Sequence, residues 1–252
     1  MRAAVCALAV PLICALCAHA ADGPTVIALA RKQVESADYR MTGRLVRVDA
    51  DGKRTSDNVA IEARWFPGVL RVLLNITSPA QAREHVLLEM HLDGRSSIEV
   101  AHPGDTSAKR LPFAKWEDGP LGNTFSYEDF LGAQYFWPHQ RSLGDTTLQG
   151  RACEQLQSTP GPSDETHFAS VTSCLDSRNG FPLTTGKILK ASRGQKEFTY
   201  FGIHQTRGVW WAHQIEARIR GRAGSTLLIV ERGTPEAHLG LHDFDSASLT
   251  HF

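Results

Sequence analysis

From Tyr39 onward the apolar residues of this chain recur at every second position, and the pattern persists in segments to about residue 232. A period of two belongs to half-buried strands, because successive side chains leave a strand on opposite faces. Residues 41–48 and 59–66 flank a polar loop at 49–57, and Pro67-Gly68 turns the chain into 69–77. There Leu70, Val72, Leu74 and Ile76 share one face, with Arg71 and Asn75 on the other. Val86, Leu88, Met90 and Leu92 repeat the alternation, with Glu89, His91 and Asp93 outward. Asp93-Gly94 invites a two-residue hairpin turn, but that register would set Glu99 beside Leu88 on the apolar face. A loop over Asp93-Gly94-Arg95 pairs Met90 with Ile98 and Leu88 with Val100, and the hydrophobic register decides in its favour. Further strands are expected at 146–150, in a hairpin spanning 148–175, and at 184–191, 197–205, 209–220 and 225–232. A meander of about ten or eleven antiparallel strands curls to escape its exposed edges.

Three stretches break the rule. Residues 24–37 place Val26, Leu29, Ala30, Gln33, Val34 and Ala37 at helical spacing, which predicts an amphipathic N-terminal helix. Residues 119–137 read as a loop running into one short helix of about three turns. Ser126 is its expected N-cap, accepting from the Asp129 backbone N–H, Phe125 and Phe130 form a hydrophobic staple, and Pro138 ends the element. Phe130, Leu131, Tyr135, Phe136 and Trp137 carry more apolar area than so short a helix uses unless it lies as a plug across the open mouth of a sheet. The tail, 239–252, has Leu241, Phe244 and Leu249 spaced as a strap.

Twenty-seven basic residues balance twenty-seven acidic ones, spread along the chain, so no electrostatic footprint for nucleic acid is present. Arg2, an apolar run at 3–17 and Ala18-His19-Ala20 read as an export signal over residues 1–20, leaving a single domain at 21–252. Its apolar core is too short to span a membrane as a helix. Beyond it only Cys153 and Cys174 remain, and two cysteines of an exported chain pair. A hairpin folded about residues 163 and 164 sets them opposite each other as a structural disulfide. No G-x-S-x-G, H-E-x-x-H or paired-cysteine zinc spacing occurs. Residues 180–187 miss the phosphate-loop spacing by one, with Ile188 where Ser or Thr must hold magnesium. Glu128 and Asp129 diverge on a helix and do not form an acid/base pair. Arg218, Arg220 and Arg222 read as a solvated strand edge. No catalytic residue, cofactor or metal ligand is therefore assigned.

A binding role rests on shape. The inward set is aliphatic and the covering helices are few, so the interior either closes or takes an apolar guest. The candidate lining residues are Trp65, Leu70, Val72, Leu74, Ile76, Val86, Leu88, Met90, Ile98, Val100, Phe130, Tyr135, Trp211 and Ile215. Trp211 is placed inward by its phase with Ile215 and Ile219, which leaves Trp210 at the rim.

Residues 121–130, Leu-Gly-Asn-Thr-Phe-Ser-Tyr-Glu-Asp-Phe, resemble the Gly-Ser-x-Phe-Ser-Tyr-Glu-Asp-Leu segment of the LolA-like family of outer-membrane lipoprotein-sorting proteins. The order continues through Leu148-Gln149-Gly150, Phe181-Pro182-Leu183 and residues 244–249. Asn123-Thr124 departs from the family's pair after glycine, and 109–116 matches its Tyr-Leu-Pro stretch only loosely. The resemblance implies a mainly β fold: a half-open, unclosed antiparallel β-barrel of about ten or eleven strands with short helices covering its concave face. It further implies a periplasmic, non-enzymatic carrier of lipid or lipoprotein acyl chains, loaded by an inner-membrane exporter and emptied into an outer-membrane acceptor. The alternative is a periplasmic sensor that uses the same barrel to hold a membrane-protein partner.

Overall fold

The computed structural model describes residues 23–119, 124–192 and 194–252. The expected export signal at 1–20 and the Leu121, Gly122 and Asn123 positions of the family-like segment lie outside the described residues. The amphipathic spacing near the N-terminus forms α1, Gly23–Glu35, which buries Val26, Ile27 and Ala30 against Leu156, Leu175 and Tyr135.

The first six strands are β1 Asp38–Val48, β2 Arg54–Phe66, β3 Val69–Ser78, β4 Glu84–His91, β5 Ser96–Ala101 and the short β6 Lys109–Arg110. After the plug come β7 His139–Leu148, β8 Arg151–Thr159, β9 Phe168–Asp176, β10 Pro182–Leu189, β11 Gln195–Phe201, β12 His204–Thr206, β13 Val209–Trp211, β14 Gln214–Ile219 and β15 Ser225–Pro235. Thirteen of them build one sheet in the order β6-β5-β4-β3-β2-β1-β15-β14-β11-β10-β9-β8-β7, and β12–β13 is a separate hairpin. Pairing of β1 with β15 joins the two halves of the meander, while β6 and β7, each paired on one side only, form the two edges. The result is the open antiparallel barrel the sequence implies. The strand number exceeds ten or eleven for two reasons. Residues 197–205 divide into β11 and β12 and residues 209–220 into β13 and β14, and the two-residue β6 is too short to show alternation.

This topology dictates where the plug lies. The chain leaves one free edge at β6 and resumes at the other with β7, and residues 111–119 and 124–138 lie across the open side. They fill it: Trp116, Phe125, Tyr127 and Leu131 pack against Leu45, Ile61, Leu74, Leu88, Ile98, Phe198 and Ala217 from seven strands. The expected three-turn helix is instead two single 3-10 turns, Tyr127–Phe130 and Ala133–Tyr135. Gly132 separates them at φ 63°, a left-handed conformation that ends the first turn and redirects the chain. The Phe125–Phe130 staple closes with ring centroids 5.7 Å apart.

Two registers differ from expectation by two residues while keeping the expected faces. Leu88 pairs with Ile98 and Val86 with Val100, because the loop turns over Leu92-Asp93-Gly94, one residue early, with the His91 N–H donating to the Arg95 carbonyl at 2.9 Å. Side-chain parity decides which face is buried, and a shift of two leaves parity untouched. Likewise Cys153 lies opposite Asp176 and Cys174 opposite Gln155, so the disulfide runs diagonally with its Cα atoms 5.5 Å apart. Reducing it should cost roughly 3 kcal/mol. Calorimetry with and without reductant should then show Tm lower by about 6–12 °C; an unchanged Tm would mean that the hairpin gains nothing from the bridge.

The opposite face of β3–β5 carries the tail. Leu239, Phe244 and Leu249 are buried against Leu73, Leu87 and Ala101, and Phe244 meets Phe66 edge-on at 5.8 Å. Leu241, expected in that strap, is 61% exposed, and Leu239 takes its place. Arg218 lies on β14, between β11 and β15, so it is not on an edge; it pairs with Glu216, and Arg220 pairs with Glu197.

Candidate functional site

The inward residues of β1–β5 were expected to line a hollow. Val72, Leu74, Ile76, Val86, Leu88, Met90, Ile98 and Val100 do point inward, but plug side chains cover them and each is at most 5% exposed. They are core. Trp65 and Ile215 are partly buried at its margin, Trp65 stacking on Phe136 at 5.5 Å. The sequence shows the phase of these residues but not the volume that the plug would take.

A smaller space survives at the end of the plug nearest α1. This cavity, about 190 Å³, lies between Val34 at the C-terminal end of α1, Ala37 just beyond it, Leu70 of β3, Tyr39 of β1, the plug residues Phe130, Leu131 and Tyr135, and Phe181, Val209 and Trp210. Of the sequence-derived candidates, Leu70, Phe130 and Tyr135 border it. Trp211 does not. It turns away to meet Tyr39 edge-on at 5.2 Å, and its neighbour Trp210, expected at the rim, is on the cavity wall. The walls are uncharged at neutral pH: burial pushes the Tyr39 hydroxyl up to about 12 and raises Tyr135 as well. Gly180 (φ 72°) holds the back wall close, since any Cβ there would strike the α1 backbone at Leu29 and Ala30.

Beneath the plug lies a second, polar feature. Lys187 of β10 and Lys196 of β11 are direct cross-strand partners, and both face inward. Two like charges so placed repel, so the pair requires an anion between them. Asp129 supplies it: Oδ1 accepts from Lys187 Nζ at 2.8 Å and Oδ2 from Lys196 Nζ at 3.0 Å. The three side chains are only 4%, 6% and 1% exposed, respectively for Lys187, Lys196 and Asp129. Ser126 completes the cluster. Its hydroxyl donates to Asp129 Oδ2 and accepts from Lys196 Nζ, both at 2.8 Å, while Ser126 stands at the expected N-cap position with Asp129 at the third residue of a capping box. Its backbone N–H also donates to Asp129 Oδ2 at 2.7 Å. The ammonium groups lie over aromatic faces, Lys187 4.8 Å from the Phe168 centroid and 4.9 Å from that of Phe198.

Burial alone would raise the Asp129 carboxyl. The charges of Lys187 and Lys196, with the hydrogen bonds from Lys187 and Ser126, outweigh it and hold the group well below the usual carboxylate range. Glu128, its neighbour, turns to the His167 backbone N–H and lies 3.7 Å from Nδ1 of that ring, which stacks on Phe113. Tyr127 donates to Glu84 of β4. Three consecutive plug residues are thus each tied to a different part of the sheet and its loops by a polar contact. Sequence reading passed over Lys187, Lys196 and His167. The signal lay in phase: Lys187 is in step with Thr185, and Lys196 with Phe198, so each lysine occupies a position that faces the core.

A family described as an uncharacterized protein matches residues 70–251. No curated protein matches the chain. Among solved structures, the chain is similar to a domain from Vibrio parahaemolyticus described as an outer membrane lipoprotein-sorting protein, with 17% identity, TM-score 0.80, and coverage of 91% of this chain and 100% of that one. It is also similar to a DUF1329 family protein from Desulfovibrio piger, with 15% identity, TM-score 0.79 and coverage of 91% and 99%. A LolA superfamily protein from Nitrosomonas europaea aligns at 16% identity and TM-score 0.65, covering 88% and 97%.

Proposed function

The chain belongs to the family that matches its residues 70–251 and is LolA-like in fold, and on that premise we propose that it is a periplasmic carrier, sheltering acyl chains of lipids or lipoproteins on their way from the inner to the outer membrane. The observation that carries this reading is the apolar cavity between the plug and α1, whose tyrosines stay neutral. At about 190 Å³ the cavity is smaller than the roughly 300–1,000 Å³ of most ligand pockets. A full tail therefore enters only as the plug shifts, its methylenes replacing contacts of Phe130 and Leu131.

The energies allow this. Each buried methylene contributes about 0.8 kcal/mol, so about ten supply roughly 8 kcal/mol. Breaking a buried ion pair costs about 3–5 kcal/mol. Loading and release need no covalent step, only a donor and an acceptor that bury the tail less and more favourably in turn. Among the described residues no helix is long and apolar enough to cross a membrane.

Mass spectrometry of lipid extracted from gently purified protein tests the reading: acyl lipid at near-stoichiometric yield is expected, and a protein empty under lipid-preserving conditions would refute it. Val34→Trp should fill the cavity from α1 and lower affinity for a fluorescent fatty acid at least about tenfold, since a single lost pocket worth about 1.4 kcal/mol already gives that factor. Unchanged affinity would place the tail elsewhere. A second reading, a sensor that holds a membrane-protein partner, is favoured by β7, a largely exposed edge strand paired only with β8, to whose other side a partner strand could be added. A pull-down from membranes separates the two, because a sensor retains one partner stoichiometrically.

A further inference from the structure

Two buried ammonium groups share one carboxylate, and that carboxylate belongs to the plug, not to the sheet. Whatever shifts the plug also withdraws Asp129 and Ser126 together, leaving Lys187 and Lys196 side by side on a wall otherwise made of Phe168 and Phe198. Unpaired buried charges of like sign do not stay as they are; they take an anion, draw in water or give up a proton.

The surroundings suit an anion with a tail. Phe130, next to Asp129 in the chain, borders the apolar cavity, and so does Tyr135. Tyr200 lies within electrostatic reach of both Tyr135 and Asp129, so the polar cluster and the cavity are neighbours beneath one cover. One pleat from Lys187, Thr185 and its cross-strand partner Ser173 bury hydroxyls that face Tyr135, so the wall between the lysines and the cavity is polar. Glu128, the other nearby carboxylate of the plug, is committed to His167.

We infer that Lys187 and Lys196 form a headgroup site for a monoanionic amphiphile, a carboxylate or phosphodiester with an acyl tail, and that Asp129 occupies this site as an internal stand-in while the plug is closed. This rests on the carrier reading and narrows its cargo. The two carboxylate oxygens, one on each ammonium, mark where the headgroup oxygens go, and the tail runs past Phe130 into the cavity.

The test compares three probes by calorimetry at pH 8, below micellar concentration: palmitate, hexadecanol, which has the tail without the charge, and inorganic phosphate, which has the charge without the tail. The wild-type protein should bind palmitate at least about tenfold more tightly than hexadecanol. Asp129→Asn, which removes the stand-in charge, should widen that ratio, and Lys187→Met with Lys196→Met should bring palmitate down to the level of hexadecanol. Equal binding of palmitate and hexadecanol by the wild type and by Asp129→Asn would overturn the inference while leaving the carrier intact, the lysines then serving only to fasten the plug. Phosphate binding as tightly as palmitate would overturn it in favour of a free-anion site. If neither tailed probe binds, carrier and headgroup site fall together. Should a variant fail to fold, the wild-type comparison of palmitate with hexadecanol still decides.

Discussion

Asp129→Ala should lower the stability of the folded protein by about 3–5 kcal/mol, the cost of leaving a buried ion cluster without its counter-charge. In a chain of this size that is a fall in Tm of about 6–20 °C. Packing accounts for little of it, since alanine removes only a carboxyl group. The burden is two ammonium groups, Lys187 and Lys196, facing each other across adjacent strands with nothing between them. Replacing all three with apolar residues (Asp129→Leu, Lys187→Met, Lys196→Met) should therefore restore most of the loss, because well-packed hydrophobic substitutes for buried ion clusters are often neutral or stabilising. A triple variant as unstable as the single one would show that the charges were not the cause.

The pH dependence carries the same signature. The folded-state pKa of Asp129 lies below its ordinary 3.8, so its contribution is complete above that value and disappears as pH falls through the depressed one. The stability difference between wild type and Asp129→Asn should thus be constant from about pH 7 to 5 and shrink only below 3.8. Denaturant unfolding across that range measures it, and a difference that already shrinks near pH 6 would refute the assignment to Asp129.

Leu88→Glu should abolish folding rather than merely empty a pocket. Leu88 is fully buried, with Val72 and Ile98 across the neighbouring strands. Losing its methyl groups costs about 2–5 kcal/mol, and an unpaired carboxylate there adds several more. The sum approaches the whole of a typical domain stability of about 5–15 kcal/mol. Near-UV circular dichroism should lose its native signal, and a folded Leu88→Glu protein without cargo would restore Leu88 to the wall of an open hollow. Val34→Trp is the counterpart, because Val34 borders real space.

Much of this molecule can be read along the chain because strands, helix caps and export-type cysteines leave local marks. A period of two depends only on neighbours in sequence, so the phase of Leu70 to Ile76 and of Val86 to Met90 was legible, and it survived registers that moved by two residues. The Phe125–Phe130 staple and the Cys153–Cys174 pairing were legible for similar reasons. Of β7 only the end, near residue 146, was legible, since a strand with little buried side has no alternation to show.

Other features depend on partners far away. That Trp210 rather than Trp211 borders the cavity follows from the β12–β13 hairpin, and that Leu239 rather than Leu241 anchors the tail follows from the outer face of β3–β5. Lysines 187 and 196 look like ordinary strand lysines until β10 pairs with β11 and sets them side by side. The chain alone determined an antiparallel sheet, its inward face and an aromatic segment made to cover it. Only the tertiary structure decided how much room is left beneath that cover and which charges are trapped there. Volume and buried charge are properties of packed partners, and no single stretch of sequence contains both.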